Sequence, residues 1–273
     1  MGQVDVLDVR FPLQGLSRQY GFQSPLEGVS GYTTPDCLNV RSVDPFQFRL
    51  RGGSRPGLVQ VLPPKTIEIG EEPSNPEIEV ELLVSQGGKD TYLRSTAATT
   101  NFDSQNLRVG FTASGSVVSR TLMHFDITQA SIPAGSTIVS AYLRLWATQA
   151  DSAGAAATIK RLTNASWVEN QATWNVYSTG NNWAGGAGAD SDTSTPHVTF
   201  NLPTQASDST NRVIITGMKT LIDDAIASRS SQLHMLIKQD TESGTTTHTT
   251  FRDSEYSGTQ GEQPRLFITY TEP

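Results

Sequence analysis

The feature that most constrains this chain is a run of strict two-residue alternation between Ile138 and Trp146. Val139, Ala141, Leu143 and Leu145 alternate there with Ser140, Tyr142, Arg144 and Trp146. A helix would scatter this pattern around its circumference. A strand gathers it on one face, because successive side chains point to opposite sides. A second strand-like run, Ser119–Phe125, precedes it, and the connector holds Pro133, Ala134 and Gly135, residues suited to a chain reversal. Similar runs recur at Thr91–Ser95, Leu107–Gly110, Thr158–Leu162, Val198–Leu202, Gln232–Gln239, Thr247–Arg252 and Arg265–Tyr270. Such short, turn-separated strands predict an all-β fold, an antiparallel, jelly-roll-like β-sandwich. One short helix interrupts it. Met218, Leu221, Ile222, Ala225 and Ile226 step by three and four residues onto one face, with Thr216 as the expected N-cap and Arg229 near the C-terminal end.

Particular motifs carry a resemblance. Arg120-x-Leu122-x-x-Phe125-Asp126-Ile127, then the segment from Ile132 to Leu145, resembles the DNRLRE family, β-sandwich modules of bacterial surface and secreted proteins related to carbohydrate-binding modules. Asp90-Thr91-Tyr92-Leu93 is similar to the first strand of that family. Trp167-Val168-Glu169 with Thr173-Trp174-Asn175 is similar to its W-x-E…T-W segment, and Phe251-Arg252-Asp253-Ser254-Glu255 with Pro264-Arg265-Leu266 to its closing motif. The resemblance covers Lys89 to Pro273 and implies a sandwich; the function does not come with the fold.

The first 64 residues read differently. They hold six arginines and no lysine, with Phe11, Tyr20, Phe22, Tyr32, Phe46 and Phe48 spread among glycine and proline. The apolar residues are too sparse for a core of their own, yet arginine and aromatics are the residues that surfaces bury against partners. An extended arm over 1–86 is therefore expected, ahead of a sandwich over 87–273; the rival reading is a solvated linker. Thr34–Arg41, Asp44-Pro45-Phe46 and Arg51–Leu58 resemble the opening segment of some tailed-phage virion proteins. That resemblance implies a non-enzymatic structural protein of a bacteriophage virion, located in a tail, neck or capsid after synthesis in the host cytoplasm. Arg41, Phe46, Phe48, Arg49, Arg51 and Arg55 would anchor it to other virion subunits, in a homo-oligomer. Residues 65–86 carry six glutamates against one lysine, and Thr66–Ile69 and Glu77–Leu83 alternate. They read either as an acidic edge strand docking on a basic neighbour or as a charged spacer.

Composition narrows the partners. A net charge of −7 gives no basic footprint for nucleic acid. No apolar run reaches the ~18 residues of a membrane-spanning helix, so no membrane partner is expected. Residues 1–15 lack the basic and apolar regions of a secretory signal. Cys37 is the only cysteine and reads as a packing residue, while His124, His197, His234 and His248 lack zinc-ligand spacing.

Two sets of residues are candidates for chemistry. Residues 166–192 hold Trp167, Trp174, Tyr177 and Trp183. Trp167 and Trp174 read as core. Tyr177 and Trp183, with Asn181, Asn182, Asp190 and Asp192, form a glycan- or partner-contact candidate, in which rings stack on sugar C–H faces and amides and carboxylates take hydroxyls; loop packing is the competing reading. The carboxylates Asp90, Asp126, Glu169, Asp253 and Glu255 are candidates for structural calcium or an acid–base pair, against turn caps and surface pairs with Arg120, Arg252 and Arg265. No cofactor is expected, and a calcium ligand set cannot be assigned from spacing. A bacterial surface or secreted carbohydrate-binding module is the alternative to the virion protein, and a polysaccharide-cleaving enzyme is the third reading.

Overall fold

The computed structural model describes residues 75–151, 154–204, 211–258 and 261–273. The anchoring residues Arg41, Phe46, Phe48, Arg49, Arg51 and Arg55, with most of the expected arm, lie outside these. The strands in chain order are β1 (Glu77–Leu83), β2 (Lys89–Arg94), β3 (Leu107–Thr112), β4 (Val117–Asp126), β5 (Thr137–Ala150), β6 (Ala156–Leu162), β7 (Val176–Ser178), β8 (Asn181–Asn182), β9 (Thr193–Asn201), β10 (Arg212–Ile215), β11 (Gln232–Gln239), β12 (Thr247–Phe251) and β13 (Arg265–Thr271). The helix α1 is Lys219–Ser228.

Every pairing is antiparallel. The first sheet runs β1-β13-β5-β10. The second runs β12-β3-β4-β11-β6-β9, with β2 also paired to β4. The long strand β5 belongs to both, because its last residues pair with β12. The sandwich is therefore one sheet curled back on itself. Each of the nine strands expected from periodicity is present, and Gln232–Gln239 has its expected bounds.

From Ala141 onward the two-residue alternation of β5 does what its pattern requires. A bulge against β13 between Thr269 and Tyr270 shifts the start of the strand, so Ile138 is buried and Val139, expected inside, is 38% exposed. Ala141, Leu143 and Leu145 are buried, and they meet Met123 and Phe125 of β4, Met235 and Ile237 of β11, and Leu266 and Ile268 of β13 in the main core. Helix α1 adds Leu221, Ile222 and Ala225 to the same core. Two helix details differ from expectation. The N-cap is Met218, with no side-chain cap bond, and Thr216 lies outside the helix. Ile226 is 40% exposed, so the apolar face ends at Ala225. Arg229 is the C-cap as placed, and its Nε donates to Asp224 at 2.7 Å.

The second half of the acidic stretch, Glu77–Leu83, is an edge strand, while Thr66–Ile69 lies outside the described residues. β1 pairs along its length with β13, and Leu82 and Val84 are buried in the main core. The boundary drawn between 86 and 87 thus cuts through the sandwich. The basic neighbours of β1 belong to its own sheet: Glu81 accepts from Arg265 and lies 3.7 Å from Arg144. Leu143 and Leu145 are at most 1% exposed. Leu143→Ala or Leu145→Ala should each cost about 2–5 kcal/mol, the range for truncating a buried leucine. Urea or guanidinium unfolding checks it, and a loss below about half a kcal/mol at both sites would mean that the face is inverted.

Candidate functional site

The segment between β6 and β9 is a cover for the second sheet. Leu93, Leu122, Leu162 and Leu236 project from the outer face of β2, β4, β6 and β11. Trp167, Ala172, Trp183 and Ala189 of the covering segment close over them into a second buried cluster. Trp167 is core, as expected. Trp183 is also core, at 3% exposure, and its Nε1 donates to the Thr173 carbonyl at 2.9 Å. A ring enclosed this way offers no face to a ligand, so the competing reading, loop packing, describes Trp183. Tyr177 is half-buried against it, with ring centroids 5.9 Å apart. Asn181 and Asn182 are exposed on the β7–β8 hairpin. Asp192 is buried and its Oδ2 accepts from the Gly185 amide at 3.1 Å. The six predicted contact residues therefore divide: Trp183 and Asp192 face inward, while Asn181 and Asn182 face solvent.

Charged contacts fix the cover in place. Arg120 donates to both oxygens of Glu242, at 2.8 and 2.6 Å, and to the Gly188 carbonyl at 2.6 Å, with its guanidinium 4.9 Å from the centre of the Trp174 ring. Gly188 has φ +85°, and a Cβ there would lie 2.6 Å from Arg120 Nη1 and 2.8 Å from the Trp174 ring. Only glycine fits. Asp190 accepts from Lys160 and Lys238, each at 2.7 Å. Burial would raise the Asp190 carboxyl, but these two lysines pull it down to about 2.

Four of the five carboxylates singled out in the sequence meet at one end of the sandwich. Asp90, Glu169 and Glu255 present oxygens within 4.8 Å of one another. Asp253 is close enough to act on Asp90 and Glu255 electrostatically. The three stretches that supply them are far apart in the chain, and each carries one of the motifs noted above. Asp90 is 1% exposed; its oxygens accept from the amide and hydroxyl of Ser254, both at 3.1 Å. Glu169 Oε1 accepts from the Asp90 amide at 2.6 Å. Burial first, then the neighbouring carboxylates, push Asp90 well above its ordinary value. Burial is also the main cause for Glu169, raised to about 7, and for Asp253 and Glu255, both raised. Asp103, not singled out in the sequence, adds its charge to this group. Crowded carboxylates are relieved by a proton or by a hard cation, which takes oxygen ligands. Asp90, Glu169 and Glu255 have the right donors for calcium.

The other expectations for charged residues resolve simply. Asp126 caps a turn, accepting from the Thr128 amide at 3.0 Å. Arg120, Arg252 and Arg265 do pair, but with Glu242, Glu262 and Glu81. Sequence spacing missed one contact altogether. His124 and His234, opposite each other on β4 and β11, stack with centroids 4.1 Å apart, and Trp167 Nε1 donates to His234 Nδ1 at 3.2 Å. Burial, then His124 and Lys89, lower His234 to about 3.

Residues 84–187 match the family model of carbohydrate-binding module family 96. Over that stretch the sandwich is similar to a carbohydrate-binding module. No curated protein matches the chain. The matched stretch runs from the end of β1 through β8 and takes in most of the cover, so the enclosed tryptophans lie within the module-like region.

Trp183→Ala should destabilise the fold by about 3–5 kcal/mol, as for other buried aromatic truncations. A melting temperature close to that of the parent protein would instead return Trp183 to the surface. The carboxylates give a pH dependence. Their folded-state values are raised, so the folded protein binds protons more tightly than the unfolded chain, and stability is lost as pH rises through the folded values. His124, His234 and His248 are lowered in the folded state, so the unfolded chain holds more protons on them. Their slope opposes that of the carboxylates until about pH 7.5, a unit above the ordinary histidine value. In EDTA the melting temperature of the parent protein should therefore fall relative to that of Glu169→Gln, which keeps the acceptor for the Asp90 amide and the same histidines, as pH rises from 6.5 to 8. Millimolar calcium at pH 8 should restore the loss if the cluster takes the ion; an unchanged melt would leave protons as its only neutralising agent.

Proposed function

We propose that this protein binds glycans without cleaving them. The match of residues 84–187 to a carbohydrate-binding module family carries the reading. The geometry of the carboxylate cluster agrees with a non-catalytic role. Glycoside hydrolysis needs two carboxyls presented on either side of a scissile bond, whereas Asp90 is enclosed and both its oxygens are held by Ser254. Incubating the full chain with a glycan array and with soluble polysaccharides tests this. Retention on at least one glycan class with no release of reducing ends is expected; release of reducing ends, or retention on none, would sink it.

The location we propose is a bacteriophage virion, with the sandwich as a fibre, decoration or adhesion module, in a homo-oligomer, and residues 1–74 as the anchor to other subunits. The arginine and aromatic content of the first 64 residues supports this, together with their resemblance to the opening of tailed-phage proteins. A bacterial surface module remains the alternative. Mass spectrometry of purified particles separates the two, since a virion component must co-purify at fixed stoichiometry.

A further inference from the structure

The cover over the second sheet ends at the turn Asp190–Asp192 and leaves the last strip of that sheet, β6 and β9, open. A groove of about 320 Å³ lies there, lined by Thr158 and Lys160 of β6 and by Thr193, Ser194, Thr195, His197 and Thr199 of β9. Its floor follows from the register. Thr158 pairs with Thr199 and Lys160 with His197, which places these four side chains on one face. The ladder then slips, because Arg161 pairs with Ser194, and Thr195 and Pro196 are left without partners on β6. That slip re-aims Thr195 as a wall, the usual effect of a bulge.

The polar groups of the groove fall into two sets. Three are already fixed: Thr158 Oγ1 donates to Asp240 at 2.6 Å, Thr193 Oγ1 to the Asp190 carbonyl at 2.6 Å, and Lys160 Nζ to the Asp190 carboxylate at 2.7 Å. The others are exposed, and Ser194, Thr195, His197 and Thr199 make no side-chain hydrogen bond among the described residues. Hydroxyls both donate and accept, and a neutral imidazole does so at its two nitrogens. Threonine methyls and the Lys160 stem supply apolar surface between these groups. With Lys160 paired to Asp190, recognition here falls to the hydroxyls and the imidazole rather than to the Lys160 ammonium.

We propose that this groove is the glycan-binding subsite, taking one or two hydroxyl-rich sugar units of a longer chain; it rests on the glycan-binding reading above and gives it a place. The volume is at the low end of the ~300–1,000 Å³ of small-molecule sites. β9 is the outermost strand of its sheet, so a polymer can run past the edge on that side.

The test uses the full chain and whichever array glycan it retains, titrated by calorimetry. Two groove variants are compared with the parent protein: the double substitution His197→Ala with Thr199→Ala, which removes free polar groups, and Thr195→Arg, which fills the groove. Trp146→Ala, on the outer face of the first sheet, is the control. Both groove variants should bind about tenfold or more weakly with an unchanged melting temperature, as expected for exposed positions, and Trp146→Ala should bind normally. Full affinity in both groove variants, or loss in Trp146→Ala alone, would overturn the subsite while leaving glycan binding intact. A parent protein retained by no glycan would overturn both.

Discussion

Leu122 on β4 and Leu236 on β11 point away from the main core, and covering them dictates the outer half of the molecule. An antiparallel sheet ordinarily turns one face to water and reads as apolar-in, polar-out. Here β4 and β11 are apolar on both faces: Met123, Phe125, Met235 and Ile237 face inward, Leu122 and Leu236 outward. Leaving the outer leucines wet would forfeit about 1.5–3 kcal/mol for each side chain. The chain between β6 and β9 closes over them with two tryptophans, and its irregular backbone is tied by its own turns and by bonds such as Thr163 N to the Asp192 carbonyl at 2.8 Å.

Apolar burial supplies the larger share of what holds this cover, and charge supplies its position. The Lys160–Asp190 pair is about a third exposed at both ends, and pairs of that kind contribute about 0–1 kcal/mol. Arg120 differs in kind. It is 8% exposed, and an enclosed guanidinium is tolerated only when its donors are met. Glu242 and the Gly188 carbonyl meet them, and Trp174 covers the plane. The residue that specifies the register of the cover is therefore an arginine on the sheet itself, and the glycine-rich run opposite it reflects how closely the backbone must approach.

This explains what the sequence disclosed and what it hid. The strands were legible because β5 alternates from Ala141 onward, and alternation is a direct image of a half-buried sheet. The carboxylate cluster was legible as a set of residues within three motifs, though separations of 79 to 165 positions between motifs say nothing of distance until the strands are paired. Trp183 was misleading for a physical reason. A tryptophan among glycines and asparagines has the same composition whether it covers a ligand or a sheet. The discriminating signal lay elsewhere, in β4 and β11. Leu122-Met123 and Leu233, Met235, Leu236 and Ile237 are apolar at both parities, which announces strands that need a second cover, and the longest connection between strands was the available candidate. The groove on β6 and β9 had no sequence signal, because it depends on a register slip that no local pattern records.

Strand β2 shows how one alternation can set two opposed electrostatic environments back to back. Lys89 faces the same side as His124, beneath the cover, with its ammonium 4.2 Å from the centre of the Trp167 ring. Asp90, the next residue, turns to the other side, into the carboxylate cluster. The buried histidines are lowered, so their contribution to stability is full above the unfolded value of 6.5 and falls away in acid. The carboxyls are raised and behave the opposite way. Between about pH 4.5 and 6.5, the ordinary values of glutamate and histidine, the two dependences oppose each other across a single strand. A flat stability profile in that range is thus a sum of cancelling slopes and not an absence of titration. Any cation that neutralised the carboxylates would unbalance the sum and leave the histidine pair to set the acid limit of the fold.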